Sequence, residues 1–137
     1  MTEAQKRALK ELWPQYGVEF SHAHLDLDHL FGRRAQRVLE IGFGNGESLI
    51  EQASANPQFD FIGIEVHEPG AGHCLLLARQ SNLANLRIII HDAFAQPQRI
   101  LSEAVEMPDG AEFLVIARTL EGPHGAFNER PRRTALL

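Results

Sequence analysis

A short apolar strand that runs directly into alternating glycines constrains this chain more than any other feature. Residues 38–41 form the strand-length run, and Gly42, Gly44 and Gly46 follow at every second position. Beyond Gly46 the apolar residues recur at helical spacing. Glycine is required where the backbone adopts a positive φ or where a ligand approaches it closely. The order of strand, glycine turn and helix therefore predicts an α/β fold whose backbone lies close to a cofactor.

The spacing of these glycines favours S-adenosylmethionine over a dinucleotide. The dinucleotide fingerprint is G-x-G-x-x-G, whereas here the third glycine comes one residue earlier and Glu40 lies just before the turn. A carboxylate beside the loop repels a pyrophosphate but attracts a cationic group such as an amine or a sulfonium. Two alternatives remain open. One is a tight strand-to-helix turn without a ligand, and the other is a nicotinamide-dependent oxidoreductase, which the spacing and Glu40 disfavour.

Two further acidic residues follow apolar segments of strand length. Glu65 ends the segment 59–65, about 20 residues beyond the glycine turn, where an acidic side chain accepts hydrogen bonds from ribose hydroxyls. Asp92 comes shortly after the segment 86–90, where it could accept a hydrogen bond from an adenine amino group. Ligands of open α/β sheets bind outside the carboxyl ends of the strands. We therefore expect Glu40, Glu65 and Asp92 to converge on one crevice.

Composition narrows the classes of function. With 137 residues, 44% hydrophobic and 23% charged, the chain is expected to form one globular domain. Its polar start and its lack of a long apolar run predict neither a signal peptide nor a membrane span, and its single cysteine fits the reducing cytoplasm. Since the net charge is −5, any RNA contact must come from local basic patches. Two clusters could serve: Arg33, Arg34 and Arg37, and Arg130, Arg132 and Arg133.

The segments around the glycine loop suggest three regions. Before Pro14 the pattern predicts a capped helix, and residues 21–32 are typical of a polar loop whose histidines and aspartates lack the register of a metal site. Residues 99–106 have a helical pattern, and residues 113–116 are typical of a fourth strand. The regions are an N-terminal helix and basic loop (1–36), an α/β core (37–117) and an irregular arginine-rich tail (118–137).

The part of the chain up to residue 93 resembles the bacterial tRNA (guanine-N7)-methyltransferase family. The shared segments are Leu-Trp-Pro-Gln-Tyr-Gly at 12–17, the glycine loop at 39–46, Ile-Glu-Val-His-Glu-Pro-Gly at 64–70 and His-Asp-Ala at 91–93. The resemblance implies a Rossmann-like, class I S-adenosylmethionine-dependent methyltransferase fold that is incomplete at the C-terminus. It also implies methyl transfer from S-adenosylmethionine to N7 of a guanine in the variable loop of tRNA. The residues implied to bind the cofactor are Glu40, Glu65 and Asp92, together with the loop glycines Gly42, Gly44 and Gly46.

This resemblance stops after the fourth strand. In the family that strand leads into a Phe-Pro-Asp-Pro-Trp segment, which carries the proposed catalytic aspartate, and then into a basic run that holds tRNA. Residues 116–124 contain neither the aspartate nor the tryptophan, so no catalytic residue is assigned. We expect weak or no methylation by this chain alone, and the alternative function is a non-catalytic S-adenosylmethionine-binding or regulatory protein. A fourth strand with an unpaired outer edge further predicts self-association through that edge.

Overall fold

A five-stranded sheet with helices on its faces organises the chain. The computed structural model describes residues 1–20 and 25–91, and the backbone of residues 105–106, 112–121 and 126–135. Its helices are α1 (Glu3–Glu11), α2 (Trp13–Tyr16), α3 (Leu27–Phe31), α4 (Glu47–Ala55) and α5 (Glu68–Gln80). Its strands are β1 (Leu25–Asp26), β2 (Arg37–Ile41), β3 (Asp60–Glu65), β4 (Leu86–Ile90), β5 (Val105–Glu106), β6 (Glu112–Glu121) and β7 (Ala126–Ala135).

The strand order of the sheet is β4-β3-β2-β6-β7. Strands β4, β3, β2 and β6 are parallel to one another, and β7 runs antiparallel to β6. Every residue of β2 and β3 is buried, as expected for parallel strands covered on both faces. Helix α4 connects β2 to β3 and α5 connects β3 to β4, so the predicted α/β architecture is confirmed.

The two faces of the sheet bury different cores. On one face, Val38 of β2 and Phe61 of β3 pack with buried residues of α1, α4 and α5. On the other face, Leu39 and Ile62 pack with Leu27 of α3. Because side chains alternate along a strand, Glu40 shares the first face with Val38, and Glu65 shares it with Phe61. The two acidic residues therefore lie on the same side of the sheet.

The N-terminal helix packs closely on α5. The predicted capping box is confirmed, since the Thr2 side chain accepts from the Gln5 backbone N–H and the Gln5 side chain accepts from the Thr2 N–H. Helix α1 approaches α5 where Gly72 has no side chain, because a Cβ there would lie 2.9 Å from the Gln5 carbonyl oxygen. In the described residues, no helix combines the length and the apolar character needed to cross a bilayer.

The region after residue 118 differs from its prediction. The irregular tail predicted for residues 118–137 is contradicted where the backbone is described, because β6 continues to Glu121 and residues 126–135 form β7. Antiparallel pairing with β7 satisfies the outer backbone groups of β6, and such long-range pairing leaves no short-range periodicity to detect. Pro131 is compatible with this strand because a proline lacks only the N–H group and is tolerated at a sheet edge.

The pairing of β6 with β7 also removes the reason given for self-association, which was an unpaired outer edge of the fourth strand. The fourth strand, β6, has β2 on one side and β7 on the other, so the expectation of an unpaired edge along it is wrong. Self-association itself stays a prediction without that support. Similarly, Val105–Glu106 forms β5 beside β1 instead of belonging to a helix, and the rest of the helix predicted over 99–106 lies outside the described residues.

The polar segment 21–32 is partly helical. Helix α3 begins after Asp26, whose carboxylate accepts from the His29 N–H, and it ends at Gly32 with a φ of 70°. The helix forms because its Leu27 side chain is buried against the sheet, which the polar composition of the segment conceals. His22 and His24, which were considered as metal ligands, lie outside the described residues.

Arg37 is part of the core instead of an RNA-binding patch. Its side chain is 1% exposed and its Nε lies 3.2 Å from a carboxylate oxygen of Asp60, which is fully buried. Arg33 donates to the other oxygen of Asp60 at 2.7 Å. The prediction of a surface patch fails for Arg37 because the buried carboxylate of Asp60 requires a counter-charge. Both partners lie at the amino ends of their strands, opposite the glycine loop.

Removing one charge of this buried cluster is expected to destabilise the fold. Arg37→Met keeps an apolar stem but deprives Asp60 of one partner, so we expect a loss of about 3 kcal/mol in the free energy of unfolding. Lys6→Met, which removes an exposed pair with Glu3, serves as the control and is expected to cost about 0.5 kcal/mol or less. Urea denaturation measures both variants. Equal losses in the two variants would contradict the assignment of Arg37 to the core.

Candidate functional site

The glycine turn after β2 has the left-handed backbone that its sequence predicts. Gly42, Gly44 and Gly46 have φ values of 76°, 65° and 81°. The turn is tied to the neighbouring strand, because the Gly42 N–H donates to the Ile64 carbonyl at 2.7 Å. Gly46 then caps α4 with its own backbone, and its carbonyl accepts the first helical hydrogen bond from Ile50 at 2.8 Å. We call residues 42–46 the glycine loop.

The surroundings of two loop glycines differ. A Cβ built on Gly46 would lie 2.5 Å from the Cys74 Sγ, so this glycine lets the loop rest directly on α5. A Cβ built on Gly44 would meet no heavy atom of the described residues within 4 Å. The loop is therefore packed against the protein at Gly46, whereas at Gly44 no described residue blocks the approach of another molecule to its backbone.

Glu65 fastens the glycine loop to the end of β3. Its Oε2 accepts from the Gly44 N–H at 2.6 Å, and its Oε1 accepts from the N–H groups of Val66 at 3.0 Å and His67 at 3.1 Å. The residue is 7% exposed, so water competes little for these charge-assisted bonds. A carboxylate offers about four acceptor positions. Three are used by the described residues, which leave one position on Oε2.

Glu40 brings a second buried negative charge to the same side of the sheet. It is 2% exposed and lies in register with Gly63 of β3. Glu40 also acts on Cys74 of α5. Burial raises the pKa of the Cys74 thiol to about 12, and the negative charge of Glu40 contributes to this rise. Cys74 therefore stays protonated at neutral pH, which excludes it as a nucleophile. Cys74 thus connects Glu40 to the end of the glycine loop, where Gly46 rests on it.

The first turn of α5 completes this arrangement, and its His67 cap and its contact with the glycine loop were not identified from the sequence. The His67 side chain caps the helix, since its Nδ1 accepts from the Gly70 N–H at 3.2 Å. Gly70 in turn lies against the glycine loop, because a Cβ there would collide with the Gly44 carbonyl oxygen. The run His-Glu-Pro-Gly could have indicated this helix start, because it places a side chain able to cap the helix just before a proline in the first turn. The glycine that follows could have indicated a close contact of the backbone.

The third predicted acidic residue, Asp92, lies outside the described residues. The chain is described up to His91, whose N–H donates to the Glu65 carbonyl at 3.1 Å. The His91 ring stacks on the ring of Phe20, with centroids 3.6 Å apart. The structure thus brings Glu40, Glu65 and the three loop glycines together at the carboxyl edge of β2 and β3, and it carries β4 to the same edge.

Solved structures with this architecture are methyltransferases. An antibiotic-related methyltransferase matches with a TM-score of 0.50 at 16% identity, over 74% of this chain and 66% of that chain. A 30S ribosomal A1408 methyltransferase from an uncultured bacterium matches with a TM-score of 0.51 at 15% identity, over 72% of this chain and 61% of that chain. At such low identity these similarities show the fold alone. The class is that of the Rossmann-like, class I methyltransferase fold.

Sequence similarity narrows this class to a family. The profile of a family described as "Putative methyltransferase" matches residues 34–108, which is more than half of the chain. This chain belongs to that methyltransferase family.

Curated relatives match the same part of the chain. A tRNA (guanine-N(7)-)-methyltransferase of Halorhodospira halophila is 56% identical over 94 residues, covering 68% of this chain and 41% of the relative. The same-named protein of Nitrosococcus oceani is 54% identical over 101 residues, covering 74% of this chain and 43% of the relative. The chain thus spans about two fifths of the length of these relatives.

The different surroundings of the loop glycines predict different costs of substitution. Gly44→Ala strains a left-handed residue with open space beside it, so we expect a loss of about 1–2 kcal/mol in the free energy of unfolding. Gly46→Ala adds a collision with Cys74, which is expected to bring the loss to about 3 kcal/mol. Urea denaturation measures each variant.

Gly32→Ala provides the matched control for strain alone. Gly32 has a φ of 70° and likewise no described heavy atom within 4 Å of a built Cβ, but it lies at the end of α3. We expect Gly32→Ala to lower the free energy of unfolding about as much as Gly44→Ala, since in both variants the only penalty is the left-handed backbone of an alanine. If Gly46→Ala proved no more harmful than these two variants, the packing of the loop on α5 would be wrong.

Proposed function

We propose that this chain binds S-adenosylmethionine at the glycine loop and is the donor-binding part of a tRNA (guanine-N7)-methyltransferase. The observation that carries the proposal is the Glu65 carboxylate, which organises the loop from the carboxyl edge of the sheet and retains an acceptor position. The relatives named as tRNA (guanine-N(7)-)-methyltransferases support the acceptor, because they are 54–56% identical to this chain. A tRNA substrate also favours the cytoplasm as the compartment.

The described residues fit this cofactor. The open space beside Gly44 lets a ligand approach the loop backbone, and the remaining acceptor position of Glu65 Oε2 suits a ribose hydroxyl. The buried charge of Glu40 favours the cationic end of the ligand over a pyrophosphate. In this proposal Glu40, Glu65 and the glycines Gly42, Gly44 and Gly46 bind the donor. Asp92 is assigned to the cofactor by the family resemblance and to its adenine group by its place after the segment 86–90, since it lies outside the described residues.

The chemistry needs alignment more than it needs a strong base. When bound, S-adenosylmethionine supplies a sulfonium methyl that moves to the N7 lone pair of guanine, leaving a neutral thioether and a positively charged purine. Guanine N7 is already a hydrogen-bond acceptor and so presents its lone pair without deprotonation. The role of this chain is therefore to hold the donor rigidly, because correct positioning of two reactants lowers the barrier substantially. The fixed glycine loop serves that role.

Titration calorimetry tests the donor site directly. S-adenosylmethionine is expected to give a saturable binding isotherm, and NAD is expected to give none because its pyrophosphate would approach the Glu40 and Glu65 carboxylates. An absence of S-adenosylmethionine binding by the folded chain would contradict the proposal. Saturable binding of NAD would instead favour the nicotinamide-dependent alternative.

A methyl-transfer assay on tRNA lacking the N7 modification separates the remaining two functions. Transfer of a labelled methyl group to guanine N7 would show that this chain completes the reaction. Donor binding without transfer would favour the S-adenosylmethionine-binding protein, or a chain that needs a further segment or subunit for the acceptor.

A further inference from the structure

We propose that His67 is a positioning residue for the donor site, acting through the first turn of α5 on the glycine loop. This inference rests on the proposed function for its effect on the cofactor, but its structural part concerns the loop itself. His67 belongs to the Ile-Glu-Val-His-Glu-Pro-Gly run, in which only Glu65 has so far received a role in donor binding. Three contacts of the described residues connect His67 to the loop.

The first contact is the helix cap. His67 has an extended backbone with φ −82° and ψ 102°, and its Nδ1 accepts from the Gly70 N–H at 3.2 Å. An Nδ1 that accepts this bond carries no proton, so the neutral ring holds its hydrogen on Nε2. The hydrogen bond from its N–H fixes the position of Gly70 relative to His67. Pro69, which precedes Gly70 in the same turn, adds to this restriction because its φ is fixed by its ring.

The second contact joins Gly70 to the loop. The Cα of Gly70 lies so close to the Gly44 carbonyl that a Cβ would collide with the oxygen. The third contact runs through Glu65, which accepts from the His67 N–H on one oxygen and from the Gly44 N–H on the other. The peptide units on both sides of Gly44 are thus restricted, one by the hydrogen bond of its N–H to Glu65 and one by the close contact of its carbonyl with the capped turn of α5.

The cap is therefore expected to affect the donor site more than it affects the rest of the fold. If the cap is lost, the first turn of α5 frays and the Gly44 carbonyl loses its neighbour, so the loop samples other conformations. Part of the binding free energy is then used to order the loop, so the affinity for the ligand is weaker. The N-cap of α3, Asp26, belongs to a helix that packs on the opposite face of the sheet, so it provides the comparison.

The experiment compares two caps of two helices. His67→Ala removes the cap of α5, and Asp26→Ala removes the cap of α3 on the opposite face of the sheet. From the typical strength of an N-cap, His67→Ala is expected to weaken S-adenosylmethionine binding about fivefold, and Asp26→Ala to change it by less than about twofold. His67→Asn restores a capping oxygen and is expected to return the affinity to within about twofold of the parent chain.

Amide hydrogen exchange of the ligand-free protein tests the structural part independently. His67→Ala is expected to accelerate exchange at the Gly44 N–H, whereas Asp26→Ala and His67→Asn are expected to leave it unchanged. Faster exchange at Gly44 together with no donor binding by the parent chain would overturn the proposed function but support the positioning role. Unchanged exchange at Gly44 in His67→Ala, or no rescue by asparagine, would overturn the role of His67.

Discussion

The candidate site depends on one buried carboxylate that receives backbone N–H groups from two separate segments of the chain. Glu65 accepts from Gly44 in the glycine loop and from Val66 and His67 at the start of the α5 region. A loop with three left-handed glycines has more conformational freedom than other loops, so it needs such an anchor to adopt one shape. Because Glu65 is the last residue of β3, the anchor also fixes the loop relative to the sheet.

The buried carboxylates at the two edges of the sheet have different kinds of hydrogen-bond partner. At the amino edge, Asp60 is bound by the guanidinium groups of Arg33 and Arg37, so its charge is balanced inside the protein. At the carboxyl edge, Glu65 is bound by neutral backbone N–H groups, which stabilise its negative charge without cancelling it. The carboxylate of Glu65 therefore lies at the carboxyl edge without a cationic partner among the described residues, and Glu40 is buried beside it. A cationic nucleoside suits this edge better than a phosphate-bearing one.

The features that sequence analysis predicted correctly are those encoded within a few residues. The strand before Gly42, the left-handed glycines and the placement of Glu65 at a strand end all follow from local spacing and from the chemistry of glycine. Arg37 was misjudged because its partner Asp60 is 23 residues away and the ion pair exists only once β2 and β3 lie side by side. Strand β7 was missed for the same reason, since pairing with β6 creates it.

The role of His67 shows a third kind of limit. The motif that contains it was recognised as a resemblance, but neither the direction of its imidazole nor the absence of space at Gly70 follows from composition or periodicity. Such contacts depend on how closely α5 approaches the glycine loop, which is a property of the packed structure. The sequence therefore placed Glu40, Glu65 and the glycines at this edge of the sheet, but it did not predict the contacts between the first turn of α5 and the glycine loop.

Calorimetric titration of Glu65→Gln with S-adenosylmethionine tests the central role of the Glu65 carboxylate most directly. Glutamine keeps the size of the side chain but replaces an acceptor oxygen with a donor, so at least one backbone N–H loses its partner. From the strength of hydrogen bonds to charged groups, we expect binding at least about tenfold weaker than in the parent chain. The control is Glu68→Gln, an exposed carboxylate in the first turn of α5, which is expected to bind normally. If Glu65→Gln folded and bound S-adenosylmethionine as tightly as Glu68→Gln, the account given for this site would be wrong.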